Sequence, residues 1–222
     1  MIHEGKKMLK LHGYYRSSAA FRVRIALELK NLHWESIPVN LGSGEQSLEN
    51  FLKYNPQGLV PVLELNGNYF SQSLAIIDLL DEMNPEPPLL PKNTLERAQV
   101  RCLAQQIAME IHPLNNLRVL KYLENELRLS EDKKTSWYKH WIAEGFSALD
   151  KILKNNECKG QFCFGESPSL ADICLIPQVY NGIRFNCNLS EYSIIHSIWD
   201  HCMSLDAFKR AAPESQPDAP EE

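Results

Sequence analysis

The chain has 222 residues, 44% of them hydrophobic and 23% charged, enough to bury a core in one large domain or two small ones and too apolar for wholesale disorder. Its 28 acids against 23 Lys and Arg leave a net charge of −5, a balance that argues against a dedicated nucleic-acid binder. No apolar run is long enough to span a bilayer, and residues 1–7 lead into no signal-peptide core, so no membrane partner and a cytoplasmic location are expected.

The first 88 residues alternate short segments of different type. Leu9 and Leu11 against Lys10 and His12 give a period of two, which predicts a strand. Phe21, Ile25 and Leu29 recur at i+4 with Ala26 beside them, a helix stripe. Trp34, Ile37 and Val39 fit a second strand, and the polar stretch 42–55 is helix or loop. Residues 62–65 and Tyr69-Phe70 flank Asn66-Gly67, a hairpin signal because both turn residues tolerate positive φ. A helix with Leu74, Ile77 and Leu80 inward follows and ends at Asn84-Pro85.

Pro85, Pro87, Pro88 and Pro91 around Leu89-Leu90 mark a linker. Beyond it the chain reads as helical. Asn93 with Glu96 resembles a capping box, and His112-Pro113 should kink the helix that follows. Trp137, Trp141, Ile142, Phe146, Leu149 and Leu153 mark another helix, with the tryptophans read as packing residues. Ser169-Leu170-Ala171-Asp172 starts a further one, with Asp172 read as a helix-stabilising cap partner and not a catalytic acid. A last helix is expected over 194–211, then a frayed, proline-rich acidic tail from Pro213. The expected domains are 7–88, a linker at 89–92, an all-helical domain at 93–215 and a flexible tail at 216–222.

Cys102, Cys158, Cys163, Cys174, Cys187 and Cys202 show no CxxC and no zinc-type pairing, and read as reduced thiols. His196 and His201 fall off a common helix face, so no metal site is expected. The richer segment is Tyr14 to Arg24, joining the first strand to the first helix. A serine there can cap the helix. Arg16, Arg22 and Arg24 lie near the same helix end, where outward N–H groups favour an anion, so an anionic ligand with a reactive group near Ser17 is plausible; Arg22 and Arg24 as bare surface charges is the alternative. Pro61 enters a strand. Were the Val60-Pro61 bond cis, the Val60 backbone would be open to an extended peptide; a trans edge proline is the plain alternative. Ser71-Gln72-Ser73 precedes a helix and offers polar groups and N–H donors for a second carboxylate.

Ser17-Ser18-Ala19-Ala20-Phe21-Arg22-Val23-Arg24-Ile25-Ala26-Leu27, Asn55-Pro56 through Val60-Pro61, Gln72-Ser73-Leu74-Ala75-Ile76, Ile111 through Arg118 and Ala171 through Gln178 together resemble the zeta class of glutathione transferases, with similarity over about residues 8–215. The resemblance implies an α/β thioredoxin-like N-terminal domain, an all-α C-terminal domain, glutathione as cofactor and a homodimer. It places Ser17 at the glutathione sulfur, with Ser18 and Ala19 beside it, Val60 against the cysteinyl backbone, Gln72 and Ser73 at the γ-glutamyl end and Gln46 at the glycyl carboxylate. His112, Asn116, Leu117 and Arg118 would bind the same cofactor, and Arg184 a substrate carboxylate. Arg16 and Arg22 would join Ser17, Ser18 and Arg184 in the chemistry. Many class members carry cysteine where this chain has Ala19. The implied reaction is cis–trans isomerisation of maleylacetoacetate in tyrosine and phenylalanine breakdown, by reversible thiolate addition. Transfer of glutathione to α-halo acids and maleylpyruvate isomerisation are the alternatives. A thiol–disulfide oxidoreductase would want a cysteine at the junction that Ser17-Ser18-Ala19 lacks, and a non-catalytic glutathione-fold module is disfavoured by intact ligand-holding motifs.

Overall fold

The computed structural model describes residues 8–156 and 160–220. The expectations placed on residues 1–7, on Cys158 and on residues 221–222 lie outside them. The described chain forms two units: one runs to Pro88 and resumes at Leu205, the other is Leu89–Ser204.

In the first unit, β1 (Leu9–Gly13) and β2 (Trp34–Pro38) pair parallel, which needs the long crossover that α1 (Ser18–Leu29) supplies. After a short helix α2 (Glu49–Leu52), the hairpin β3 (Val62–Leu65) and β4 (Asn68–Ser71) adds antiparallel to β1, in the order β2-β1-β3-β4. Asn66 and Gly67 turn it with φ of 51° and 77°. The register sets Lys10 opposite Glu64, and the two pair at 3.4 Å. Helix α3 (Ser73–Met83) follows, with Ile76, Ile77 and Leu80 buried; Leu74, expected inward, is only half-buried. The one-sided stripe expected of α1 breaks down for a good reason: its residues from Ala20 to Leu27 are buried all round, because α3 and the helix Asp206–Ala211 pack against it.

The expected last helix over 194–211 is two helices. Helix α8 (Ser193–Ser204) belongs to the second unit, the chain turns extended at Leu205, and α9 (Asp206–Ala211) packs on α1 in the first. Arg24 Nε donates to the Ala211 carbonyl at 2.8 Å, and Arg210 pairs with Glu28 at 2.6 Å. The stretch assigned to a helical domain up to 215 therefore clusters in part with the sheet. Nor is the tail frayed as far as residue 220: Pro213 and Gln216 are buried, Gln216 Nε2 donates to the carbonyls of Arg210 and Ala212, and Asp218 accepts from the Tyr15 N–H at 2.9 Å.

The second unit is helical. Helix α4 (Thr94–Gln105), capped by the Asn93 side chain accepting from the N–H groups of Leu95 and Glu96, passes into a π-helical turn over Gln106–Ile111 and a 3₁₀ turn over His112–Asn115. That loss of α geometry sits where Pro113 removes a backbone donor. Helices α5 (Leu117–Asn125), α6 (Glu131–Lys154) and α7 (Leu170–Arg184) follow. Helix α7 is buried from Leu170 to Val179 and packs against α4 and α8, which makes it the core of the unit. Its start is a capping box, and fully buried Asp172 accepts from the N–H and hydroxyl of Ser169 at 2.8 Å each and from the Cys163 N–H at 2.7 Å. Burial pushes its carboxyl up, and those donors pull it back.

Candidate active site

In the first unit, α1 begins at Ser17 because its hydroxyl oxygen accepts from the Ala20 N–H at 3.2 Å. That bond uses a lone pair and leaves the hydroxyl hydrogen to donate elsewhere. Ser17 is half-buried, Ser18 buried and Ala19 half-buried at the same end.

The three arginines do not share that end. Arg16 is exposed, its guanidinium 5.1 Å from the Tyr15 ring and within 3.2 Å of the Tyr14 hydroxyl. Arg24 is buried and holds the strand-to-helix loop, donating to the Tyr15 carbonyl at 2.9 Å. Arg22 is 2% exposed and points to α3, where Nη1 lies 3.4 Å from Ser73 Oγ. Both Arg22 and Arg24 being buried removes the surface-charge reading.

Helix α3 starts without a side-chain cap and with no acid in its first turn. Its first N–H groups therefore look outward without an intrahelical partner, backed by the Arg22 guanidinium. Gln72, just before it, has φ of 71°, a conformation non-glycine residues seldom hold unless their surroundings demand it. Its amide donates to Gln57 at 2.9 Å, which joins the 55–61 loop to this helix end. Within the loop, buried Asn55 donates to the Leu59 carbonyl at 2.7 Å. The Val60-Pro61 bond is cis. Among the described residues, the Val60 N–H and carbonyl take part in no backbone hydrogen bond. Gly58, at φ of 62°, lies so close to Gln46 that a Cβ would meet the Gln46 carbonyl at 3.1 Å. Gln46 Oε1 is buried with no partner among the described residues. The structure thus brings Gln46, Val60, Gln72, Ser73 and Arg22 into one neighbourhood. An extended peptide carrying a carboxylate suits it, because an open backbone strand and an uncapped helix end are what such a ligand uses, and the buried Gln46 Oε1 can accept from a ligand N–H.

In the second unit, Asn116 caps α5 by accepting from the Arg118 N–H at 3.1 Å, and Leu117 and Arg118 are exposed. His112 opens the 3₁₀ turn before it. Arg184 is exposed at the C-terminal end of α7 with its guanidinium 4.9 Å from the Phe185 ring. Phe185 stacks on Tyr138 of α6 at 3.8 Å, and the Tyr138 carbonyl accepts from Asn115 at 3.1 Å. One aromatic contact and one hydrogen bond thereby join the Arg184 end of α7 to the 112–118 turn. The sequence reading missed Tyr138 and Phe185; the Arg-Phe pair was visible, but its partner on α6 was not. Trp137 packs as expected, its indole donating to the Leu114 carbonyl at 2.9 Å. His196 pairs with Asp200 at 3.0 Å. Among the described residues no cluster of three His, Cys, Asp or Glu could hold a metal, and no helix is long and apolar enough to cross a membrane.

A βαβ unit followed by a ββα unit, with a helical unit after them, is the architecture of a glutathione transferase, and residues 11–88 match the family model "Glutathione S-transferase, N-terminal domain". A probable maleylacetoacetate isomerase of Vibrio cholerae is 48% identical over 213 residues, 95% of this chain and 98% of that one. A maleylpyruvate isomerase solved in its holo form, described as a bacterial zeta-class glutathione S-transferase, superposes with a TM-score of 0.94 at 41% identity, covering 95% of this chain and 100% of that one. A maleylacetoacetate isomerase of Methylobacterium extorquens, solved with bound malonate and GSH, gives a TM-score of 0.92 at 38% identity over 96% of this chain and 100% of that one. The chain belongs to the zeta class of glutathione transferases, the family of the maleylacetoacetate isomerases.

Proposed function

We propose that the protein catalyses the glutathione-dependent cis–trans isomerisation of maleylacetoacetate to fumarylacetoacetate, acting as a cytoplasmic homodimer in tyrosine and phenylalanine breakdown. The observation that carries this reading is the Methylobacterium extorquens relative, whose equivalent fold holds a dicarboxylate together with glutathione. The class also conjugates glutathione, and a transferase activity on α-halo acids is proposed beside the isomerisation. Maleylpyruvate is the second substrate reading, favoured by the 0.94 TM-score of a maleylpyruvate isomerase.

Bound glutathione supplies a thiol that, once ionised, adds reversibly to the conjugated cis double bond, which then turns as a single bond before the sulfur leaves. The Ser17 hydroxyl, already accepting from Ala20, has its proton free to donate to that sulfur at the positive end of α1. Ser18 and Ala19 line the same helix end. Val60 pairs its backbone with the cysteinyl part, Gln72 and Ser73 hold the γ-glutamyl carboxylate on the α3 N-terminus, and Gln46 meets the glycyl end. His112, Asn116, Leu117 and Arg118 are assigned to the cofactor as well. Arg22 works from beneath, adding buried positive charge behind Ser73. Arg16 and Arg184 offer exposed guanidinium forks to the substrate carboxylates.

Magnitudes divide the work. Lowering a thiol pKa from ~8.5 to ~6.5 raises the thiolate fraction at neutral pH roughly 25-fold. Enzymes commonly reach ~10⁶ or more, so most of the acceleration comes from holding the diacid against the sulfur and stabilising the charge that develops on it. The test is a direct assay of maleylacetoacetate conversion with and without glutathione, alongside maleylpyruvate and an α-halo acid. Full activity without glutathione, or turnover of the halo acid alone, overturns the isomerase reading.

A further inference from the structure

The second unit presents an exposed arginine whose guanidinium lies over a neighbouring ring. Long surface arginines normally sample many rotamers, and a carboxylate must then select one at an entropic cost. Arg184 instead lies over the Phe185 ring at 4.9 Å, at the end of α7 where the helix stops at Phe185. Phe185 does not stand alone. Its ring is stacked on Tyr138 at 3.8 Å with an interplanar angle of 18°. Tyr138 is 3% exposed, and its carbonyl is held by the side chain of Asn115, itself buried. Asn115 ends the 3₁₀ turn whose next residue, Asn116, caps α5. The sequence of contacts runs from a buried amide through a buried tyrosine and a half-buried phenylalanine to an exposed cation.

We propose that Phe185 is a positioning residue: stacked on Tyr138, it forms an aromatic platform that holds the Arg184 guanidinium pre-oriented for a carboxylate of a dianionic substrate and so sets the preference for diacids over neutral electrophiles. The inference rests on the assignment of Arg184 to a substrate carboxylate and adds what makes that arginine selective. A planar fork laid on a ring keeps its N–H edge free and its direction fixed, which a ring of this kind achieves by cation–π attraction. The Arg184 charge also reaches the Tyr138 hydroxyl, where it opposes the rise that burial imposes. That places cation and platform within one electrostatic neighbourhood.

The experiment measures kcat and KM for maleylacetoacetate and for a neutral α,β-unsaturated ketone, both at saturating glutathione, in the wild type, Phe185→Leu, Phe185→Tyr, Arg184→Ala and the Arg184→Ala/Phe185→Leu double variant. Phe185→Leu should raise the KM for the diacid about 5-fold, the size of an exposed cation–π contact, with kcat little changed, so that the ratio of kcat/KM between diacid and ketone falls by the same factor. Phe185→Tyr keeps a ring and should keep the ratio. In the Arg184→Ala background the leucine change should move the ratio no further, because the cation it would orient is gone. A ratio unmoved by Phe185→Leu while Arg184→Ala lowers it overturns the platform alone. A leucine effect that persists without Arg184, or that lowers kcat for both substrates equally, makes Phe185 a packing residue and also overturns the proposal. A ratio unmoved by Arg184→Ala overturns the carboxylate assignment and the platform with it. Phe185→Met, which fills similar volume without a ring, takes the place of leucine in both backgrounds should the leucine variant be poorly folded.

Discussion

Replacing Asp172 by alanine tests whether this carboxylate is a structural keystone of α7 and not a catalytic acid. Three donors converge on it: the Ser169 N–H, the Ser169 hydroxyl and the Cys163 N–H, at 2.8, 2.8 and 2.7 Å. The site is fully buried, so alanine leaves those donors without water to replace the acceptor. Hydrogen bonds to a charged group contribute about 1.5–3 kcal/mol each, and the loss of a buried acceptor costs up to the desolvation of each donor. Burial raises the carboxyl, so part of that gain is already offset, and about 4 kcal/mol is the expected loss. For a chain of this length that lowers Tm by about 8–16 °C. Ser169→Ala keeps both backbone donors on Asp172 and loses only the hydroxyl contacts, so it should cost about 1 kcal/mol. Thermal unfolding followed by circular dichroism reads both. A Tm drop under ~3 °C for Asp172→Ala, or a selective fall in kcat with Tm unchanged, would refute the reasoning.

Ser17→Ala should lower kcat/KM at neutral pH by about 10- to 25-fold, the ceiling set by thiol ionisation, and the deficit should shrink as the pH approaches ~9, where the thiol ionises unaided; a loss independent of pH would place the serine elsewhere in the chemistry. Lys30 has a side chain of 0% exposure held by Asp81 at 2.7 Å and by the carbonyls of Asn84 and Pro87 at 2.6 and 2.9 Å. Lys30→Met should therefore destabilise by about 3 kcal/mol and speed proteolysis near residues 84–88, and unchanged melting and cleavage would show that the clamp contributes nothing. Burial raises the Tyr138 hydroxyl above its ordinary value, so the fold prefers the neutral ring. The stability tied to that preference is fully present below pH ~10 and is lost as pH rises through the folded value. The Tm difference between the wild type and Tyr138→Phe should therefore shift in favour of the phenylalanine variant between pH ~9 and ~11, and a constant difference would remove the link.

Much of this architecture is legible one element at a time. The Asn66-Gly67 turn, the Ser17 cap, the Asn93 and Ser169 helix starts and the break near Pro113 all depend on residues within a few positions of one another, and the local chemistry of φ, capping and missing donors decides them. The family motifs likewise sit in contiguous runs, which is why Ser17, Val60, Gln72 and Ser73 could be named from sequence. Other features depended on partners far along the chain. Leu74 lost its place in the core to Ile76 because α1 lies to one side of α3. Helix α9 belongs to the first unit, where it packs on α1 and is held by the Arg24 bond to Ala211 and the Arg210–Glu28 pair. Its apolar spacing runs on from α8 and carries no mark of the change.

Short-range sterics and hydrogen bonding thus settled the Asn66-Gly67 turn and the helix starts at Ser17, Asn93 and Ser169, while the class of fold and the role expected of Ser17 came from the resemblance of whole motifs to a known family. Tertiary structure alone sorted three neighbouring arginines into an exposed fork, a buried brace behind Ser73 and a loop clamp. It also seated Phe185 on Tyr138 and tied Lys30 to the end of α3. The reason is physical: a charge or a ring has no function until packing decides which partner is near and how much water is left around it, and neither quantity is written in the residues beside it.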